Sequence, residues 1–169
     1  TDAGAPRLII MHGFSGSAKT WYSQQQMLTL PAIRGRSDIE RKRLHGLQET
    51  AQSGSGVAEG LYAPDQRSDV YERLASLAEG MLEAGHNVIV DASFLERAER
   101  DRFRDLAKRA GSDFTIVSTS AKREELQRRL EQRGGDASEA DVAVLRYQFD
   151  HADALDDDEC DYVVEVATD

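Results

Sequence analysis

Gly13-Phe14-Ser15-Gly16-Ser17-Ala18-Lys19-Thr20 is the stretch on which the reading of this chain turns. It nearly matches the pattern G-x-x-x-x-G-K-[ST], and it lies between an apolar, β-rich run, Leu8 to Met11, and a segment that can be helical from Lys19 onward. In such a turn, consecutive backbone N–H groups point inward, the following helix N-terminus adds partial positive charge, and a lysine reaches the outer phosphates of a nucleotide. Lys19 fills that place. Thr20 is placed to offer its hydroxyl to Mg²⁺, a hard cation that keeps several waters and bridges phosphate oxygens. The departure is Ala18, which stands where the pattern has its second glycine. A methyl there narrows the concavity or turns an amide out of line. The plainer alternative is a Gly/Ser turn that only joins a strand to a helix.

Outward from the loop, strands and helices alternate. Residues 1–7 carry no signal-peptide features and are set aside as a disordered or appended N-terminus; the missing initiator Met suggests a domain taken from a longer chain. Pro31-Ala32-Ile33 opens a weak second strand, and Ser37 or Asp38 caps a short helix to about Leu44. Gln48 to Gly60 lacks periodicity and reads either as a loop over a site or as a surface excursion. From Asp65, Val70, Leu74, Leu77, Ala78, Met81 and Leu82 recur at helical spacing, and Gly85 ends that helix before the strand Asn87 to Val90. Glu96 to Ala110 is another amphipathic helix, and Phe114 to Thr119 an apolar strand. Lys122 to Arg133 is a helix and Gly134-Gly135 a hinge. Ser138 and Asp141 form an N-cap pair opening a helix toward Ala152, and Tyr162 to Val166 is the final strand. This order predicts an α/β fold, a five-stranded parallel sheet with helices on both faces, built from residues 8–169 as a single domain.

Composition narrows the partners. The chain has 169 residues with a formal net charge of -10, which disfavours nonspecific attraction to nucleic acid, and no apolar run approaches the length of a membrane helix. One cysteine, Cys160, and four histidines leave no intrachain disulfide and no zinc-ligand spacing, so a reducing, cytoplasmic setting is expected. The acidic run Asp156 to Asp161 reads as a solvated turn. His12, Trp21 and Cys160 read as structural: a strand-end residue, a packed aromatic and a buried small side chain.

Four further positions bear chemistry. Asp38, beside Arg36, Arg41, Lys42 and Arg43, can accept the proton of an attacking hydroxyl while Arg36 or Arg41 holds an anionic substrate by paired hydrogen bonds. Read without the loop, the same segment is a capped surface helix with solvated cations. Asp91 ends a buried strand at the carboxyl edge of the sheet, where ligands of open α/β sheets bind; it either orients substrate and Mg²⁺ or caps the turn at Ala92-Ser93. Arg128, Arg129 and Arg133 precede the hinge, on a segment that can close over a triphosphate, though Glu124, Glu125 and Glu131 are near enough for ordinary helix pairs. Arg133 adjoins the hinge and is favoured for a catalytic role, and Arg129 for nucleotide binding.

Together, Gly13 to Thr20, Ser37-Asp38 to Leu44, Gly60-Leu61-Tyr62-Ala63-Pro64 and Val88 to Phe94 resemble a family of ATP-binding kinase domains, of AAA type. These are similar to polynucleotide 5′-hydroxyl kinase and the zeta toxins, and are often fused to aminoglycoside-phosphotransferase-like domains. The resemblance covers Arg7 to Val166. It implies a three-layer P-loop NTPase fold with strand order 2-3-1-4-5, a helical lid over about 128–140, and ATP with Mg²⁺ as cosubstrate. It further implies Lys19 on phosphate, Thr20 at the metal, Asp38 as general base, Arg41 on the substrate, Asp91 as the second strand-tip acid and Arg133 in the lid; with Thr20, Asp91 is the residue expected to place Mg²⁺. The activity implied is transfer of the γ-phosphoryl group to a hydroxyl of a small or nucleotide-like acceptor. A polynucleotide kinase, or a nucleotide-binding regulatory domain weakened at Ala18, is the alternative.

Overall fold

The computed structural model describes residues 4–44, 64–132 and 137–168. The expected loop Gln48 to Gly60, most of the Gly60 to Pro64 stretch, the hinge Gly134-Gly135 and Arg133 lie outside the described residues.

The sheet is built around β1 (Arg7–His12), whose partners are β3 (Asn87–Asp91) and β4 (Asp113–Ser120); β2 (Ala32–Arg36) and β5 (Val163–Ala167) form the edges. All pairings are parallel and the order is β2-β3-β1-β4-β5. Five parallel strands linked by helices are what the alternation predicts, and their order is the one that the resemblance to the P-loop kinase domains implies. Arg7 belongs to β1, so the segment set aside before residue 8 ends one residue earlier.

Alternation along β1 explains the two-sided burial. Leu8 and Ile10 face α3 (Pro64–Glu83) and α4 (Arg97–Arg109), packing with Val70, Leu74, Phe103 and Leu106. Ile9 and Met11 face the other side, with Ile89, Val117 and the partly buried Tyr22 of α1 (Lys19–Thr29). Strand side chains project to opposite faces with period two, so a strand covered on both faces has to be apolar throughout. α5 (Arg123–Gln132) and α6 (Ala137–His151) share a small separate core of Leu126, Leu130 and Leu145, against which Phe14 and Phe149 pack. α6 thus begins at Ala137, one residue ahead of the expected cap.

Three expectations fail. Trp21 on α1 is 59% exposed, and Cys160, in the 3₁₀ helix Asp157–Tyr162, is exposed, because residue-type averages carry no information about which face of an element is buried. The acidic run is also more than a solvated turn. It forms a 3₁₀ helix, Asp157–Tyr162, with a capping box between Asp156 and Glu159. Arg97 on α4 pairs with Asp156 and Asp158, and Arg100 reaches the buried Glu159 through Nε at 2.9 Å and Nη2 at 3.1 Å. Burial alone would push the Glu159 carboxyl up; the Arg100 hydrogen bonds and the Asp156 amide outweigh it and hold it low. Among the described residues no helix is long and apolar enough to cross a membrane.

Candidate functional site

The turn after β1 is shaped by close approach. A Cβ on Gly13 would meet the Thr119 carbonyl oxygen at 2.6 Å and Ser17 Oγ at 2.5 Å, and one on Gly16, at φ 85°, would meet the Leu126 carbonyl oxygen at 3.0 Å. Neither position has room for a side chain. Ala18 is the N-cap of α1 at φ 70° and ψ 31°, the left-handed region that glycine occupies freely and alanine does not. The sequence places the irregularity here correctly, but its physical form is backbone strain at Ala18.

No side chain caps α1 and no acid sits in its first turn, so the positive end of this helix opens onto the loop. Lys19 Nζ donates to the Phe14 carbonyl at 2.9 Å, folding back over the turn. Ser17 Oγ and Thr119 Oγ1 lie 2.8 Å apart and pin the loop to the end of β4. From the other side, Arg129 on α5 donates to the Gly16 carbonyl at 3.0 Å, to Thr168 and to Glu125. Arg128 pairs with Glu125 one turn away, which is the helix-surface pairing the sequence offered as the alternative, and both arginines hold the Glu125 carboxyl down to about 2.

The strand tips bring distant residues together. Arg36 and Asp91 are partners in the β2–β3 register. Thr20 Oγ1 donates to Asp91 Oδ2 at 2.6 Å, Arg36 Nε lies 3.8 Å from that oxygen, and Arg36 Nη2 donates to Asp38 Oδ2 at 3.0 Å. Thr20, Asp91, Arg36 and Asp38 therefore form one continuous chain of contacts leading away from the loop. A hydroxyl and a carboxylate oxygen side by side at the mouth of a phosphate cradle fit a hard cation that takes oxygen ligands. Among the described residues there is no cluster of three or more His, Cys, Asp or Glu of the kind that holds a metal on protein ligands alone. The fit is thus to a cation held largely by phosphate oxygens and water.

These residues border a single cleft of about 720 Å³, into which Arg41 also opens. It is lined further by Trp21, which reads as structural in the sequence, and by residues the sequence did not single out: Arg67, Tyr71, Glu96, Tyr147 and Gln148. The positions of Arg67, Tyr71, Tyr147 and Gln148 depend on where α3 and α6 dock, and no local pattern encodes that. Gln148 Oε1 accepts from the Ser15 amide at 2.8 Å, and the Phe149 ring packs on Phe14 at 4.5 Å between centroids. Tyr71 Oη accepts from the Phe94 amide at 3.0 Å, and burial pushes its phenol up, so it stays protonated. His12, whose β4 register partner Ser118 approaches its Nδ1 at 2.9 Å, is held down to about 4 by burial and by the positive Arg100 and Lys19.

Sheet order, loop and uncapped helix together define a P-loop domain built like the small kinases. The family model described as AAA domain matches residues 8–155, and the chain belongs to that family. Among solved structures it is similar to a sugar kinase from Janibacter sp. HTCC2649, with a TM-score of 0.68 and 18% identity over 96% of this chain and 85% of that one. A gluconokinase from Sinorhizobium meliloti 1021 gives a TM-score of 0.65 at 18% identity, covering 96% and 83%. The Mycobacterium tuberculosis APS kinase in complex with AMPPNP and APS gives 0.59 at 22% identity, covering 76% and 70%. At these identities the likeness is one of fold. A search of the curated proteins finds no match.

Proposed function

We propose that this protein is an ATP-dependent phosphotransferase that moves the γ-phosphoryl group to a hydroxyl of a small acceptor. The observation that carries the reading is the contact chain Thr20, Asp91, Arg36, Asp38, which runs from the phosphate loop to a half-buried carboxylate within one cleft. In this reading the amides of residues 13–20 and Lys19 hold the outer phosphates, with Arg129 bracing the loop at Gly16. Thr20 and Asp91 would hold Mg²⁺, which when bound neutralises phosphate charge. Asp38 takes the proton of the acceptor hydroxyl. The acceptor oxygen bonds to the γ-phosphorus as the bond from phosphorus to the β–γ bridging oxygen breaks, and ADP leaves with that electron pair. Arg36 orients Asp38, and Arg133 on the lid segment meets the transferring group.

A second reading, a nucleotide-binding regulatory domain without chemistry, is favoured by two observations: the strained Ala18 and the Gln148 side chain on the Ser15 amide. Asp38→Asn separates them. Under the kinase reading it leaves Mg²⁺–ATP affinity by calorimetry unchanged and lowers turnover, including slow ATP hydrolysis in the presence of an acceptor, by about 10²-fold or more. Nucleotide binding with no phosphoryl transfer by the unaltered protein, across a panel of hydroxyl compounds, would sink the kinase reading and leave the regulatory one.

A further inference from the structure

The cleft that holds Asp38 is also lined by residues of α3 and α6, among them Arg67, Tyr71 and Tyr147. Arg67, in the first turns of α3, donates from Nη2 to Tyr147 Oη at 3.0 Å, and its guanidinium carbon lies 5.1 Å from the centre of the Tyr147 ring. Tyr147 is itself stacked on His151, with centroids 4.0 Å apart and planes 19° from parallel. The arginine is therefore held in direction by an aromatic support. Its neutralisation is weak: Glu96 stands 3.9 Å away and is half exposed, and among the described residues Arg67 Nε is buried with no hydrogen bond. A buried donor at the rim of a cleft carries hydrogen-bonding capacity that an anionic ligand there can satisfy.

The charge of the cleft points the same way. Lys19, Arg36, Arg41, Arg67 and Arg129 line it against three carboxylates, Asp38, Asp91 and Glu96, in a chain whose formal net charge is -10. Lys19 and Arg129 donate hydrogen bonds to carbonyls of the phosphate loop, and Arg36 is engaged by Asp38 and Asp91. Arg67, on α3, is a cation the transfer chemistry does not use. With a neutral acceptor this guanidinium would engage only Tyr147 and Glu96.

We propose that Arg67 reads an anionic group on the acceptor, so that the acceptor is a small hydroxy compound carrying a carboxylate or a phosphate monoester. The inference rests on the phosphotransferase reading for the word acceptor, but the anion site itself does not depend on turnover. A small molecule is favoured over a polynucleotide end because the cleft volume of about 720 Å³ lies within the range of small-ligand sites, and the acidic chain repels an extended polyanion.

Trp21 is the single tryptophan of the chain and lines this cleft, so its fluorescence reports on occupancy. With the phosphate loop filled by Mg²⁺–AMPPNP, the probes are two matched pairs, glycerate against glycerol and ribose 5-phosphate against ribose, together with a short 5′-hydroxyl oligonucleotide. The anionic member of at least one pair is expected to bind about tenfold or more tightly than its neutral partner, as a charge-assisted hydrogen bond provides. Which pair responds distinguishes carboxylate from phosphate. Arg67→Gln, which keeps a donor for Tyr147 but removes the charge, is expected to abolish the preference, and Arg67→Lys to retain part of it, with AMPPNP affinity unaltered in both. Equal binding within both pairs, a preference that survives Arg67→Gln, or tightest binding by the oligonucleotide would overturn the proposal. If calorimetry detects no nucleotide binding, it is the phosphotransferase reading that fails, and the same anion titration without nucleotide still decides the role of Arg67.

Discussion

Ala18 adopts φ 70° and ψ 31°, a conformation that costs an L-residue with a Cβ on the order of 1–2 kcal/mol. Glycine removes that cost but loses about 0.5–1 kcal/mol to the larger freedom of its unfolded chain. Ala18→Gly is therefore expected to stabilise the fold by roughly 0.5–1 kcal/mol, seen as a higher urea midpoint with an unchanged slope. Because the left-handed geometry is already reached with alanine, the amides that follow keep their direction, and Mg²⁺–ATP affinity should change by less than about threefold. A tenfold or larger gain on this substitution would mean that the methyl obstructs the phosphates directly. The sequence shows the missing glycine at once, since the motif is local and each of its positions has a conformational reason. It does not show the exposure of Trp21 or Cys160, because which face a side chain occupies is decided by packing partners elsewhere in the chain.

At the scale of elements, α6 closes onto the phosphate loop. Phe149 packs on Phe14, and Gln148 Oε1 occupies the Ser15 amide at 2.8 Å, one of the loop amides that the proposed reading assigns to nucleotide phosphates. Binding then has to exchange one hydrogen bond for another. Gln148→Ala leaves that amide without its protein acceptor, and nucleotide affinity measured by calorimetry is expected to rise by up to about fivefold, the equivalent of a net hydrogen bond near 1 kcal/mol. A fall in affinity would instead place Gln148 in contact with the nucleotide. Helical periodicity makes α6 legible as an element, but nothing in the sequence says which loop its side chains meet. The pairing of Arg36 with Asp91 is similarly hidden, because it follows from the register of two parallel strands, whereas the Arg128–Glu125 pair, three residues apart on one helix, is visible without a structure.

At the scale of the whole molecule, one buried network joins the candidate site to the C-terminal part of the sheet. Arg100 donates to the Phe94 carbonyl at 3.0 Å, to the Asp153 and Ala154 carbonyls, and to Glu159, so the β3–α4 loop next to Asp91, the end of α6 and the 3₁₀ helix share one guanidinium. The acidic run suggested none of this, since its partner lies 59 residues away. The network sits near His12, and together they set the response to acid. His12 has a folded pKa of about 4 against 6.5 for an unperturbed imidazole, so between those values the unfolded chain binds a proton that the folded chain refuses. Its contribution is complete above pH 6.5 and is withdrawn as pH falls toward 4. Glu159, held below 4.5, acts in the same direction at lower pH: its stabilisation is present above 4.5 and is lost as pH falls through its folded value. Stability should consequently decline as pH is lowered from 7 to 4.5, with the His12 share on the order of 2 kcal/mol. Urea midpoints at the two pH values test this directly. In His12→Gln, which cannot titrate, the decline over that interval should shrink by about that amount, while the further loss below pH 4.5 remains. An unchanged decline in the variant would mean that His12 takes up its proton in the folded protein without opposition, contrary to its burial beside Arg100 and Lys19.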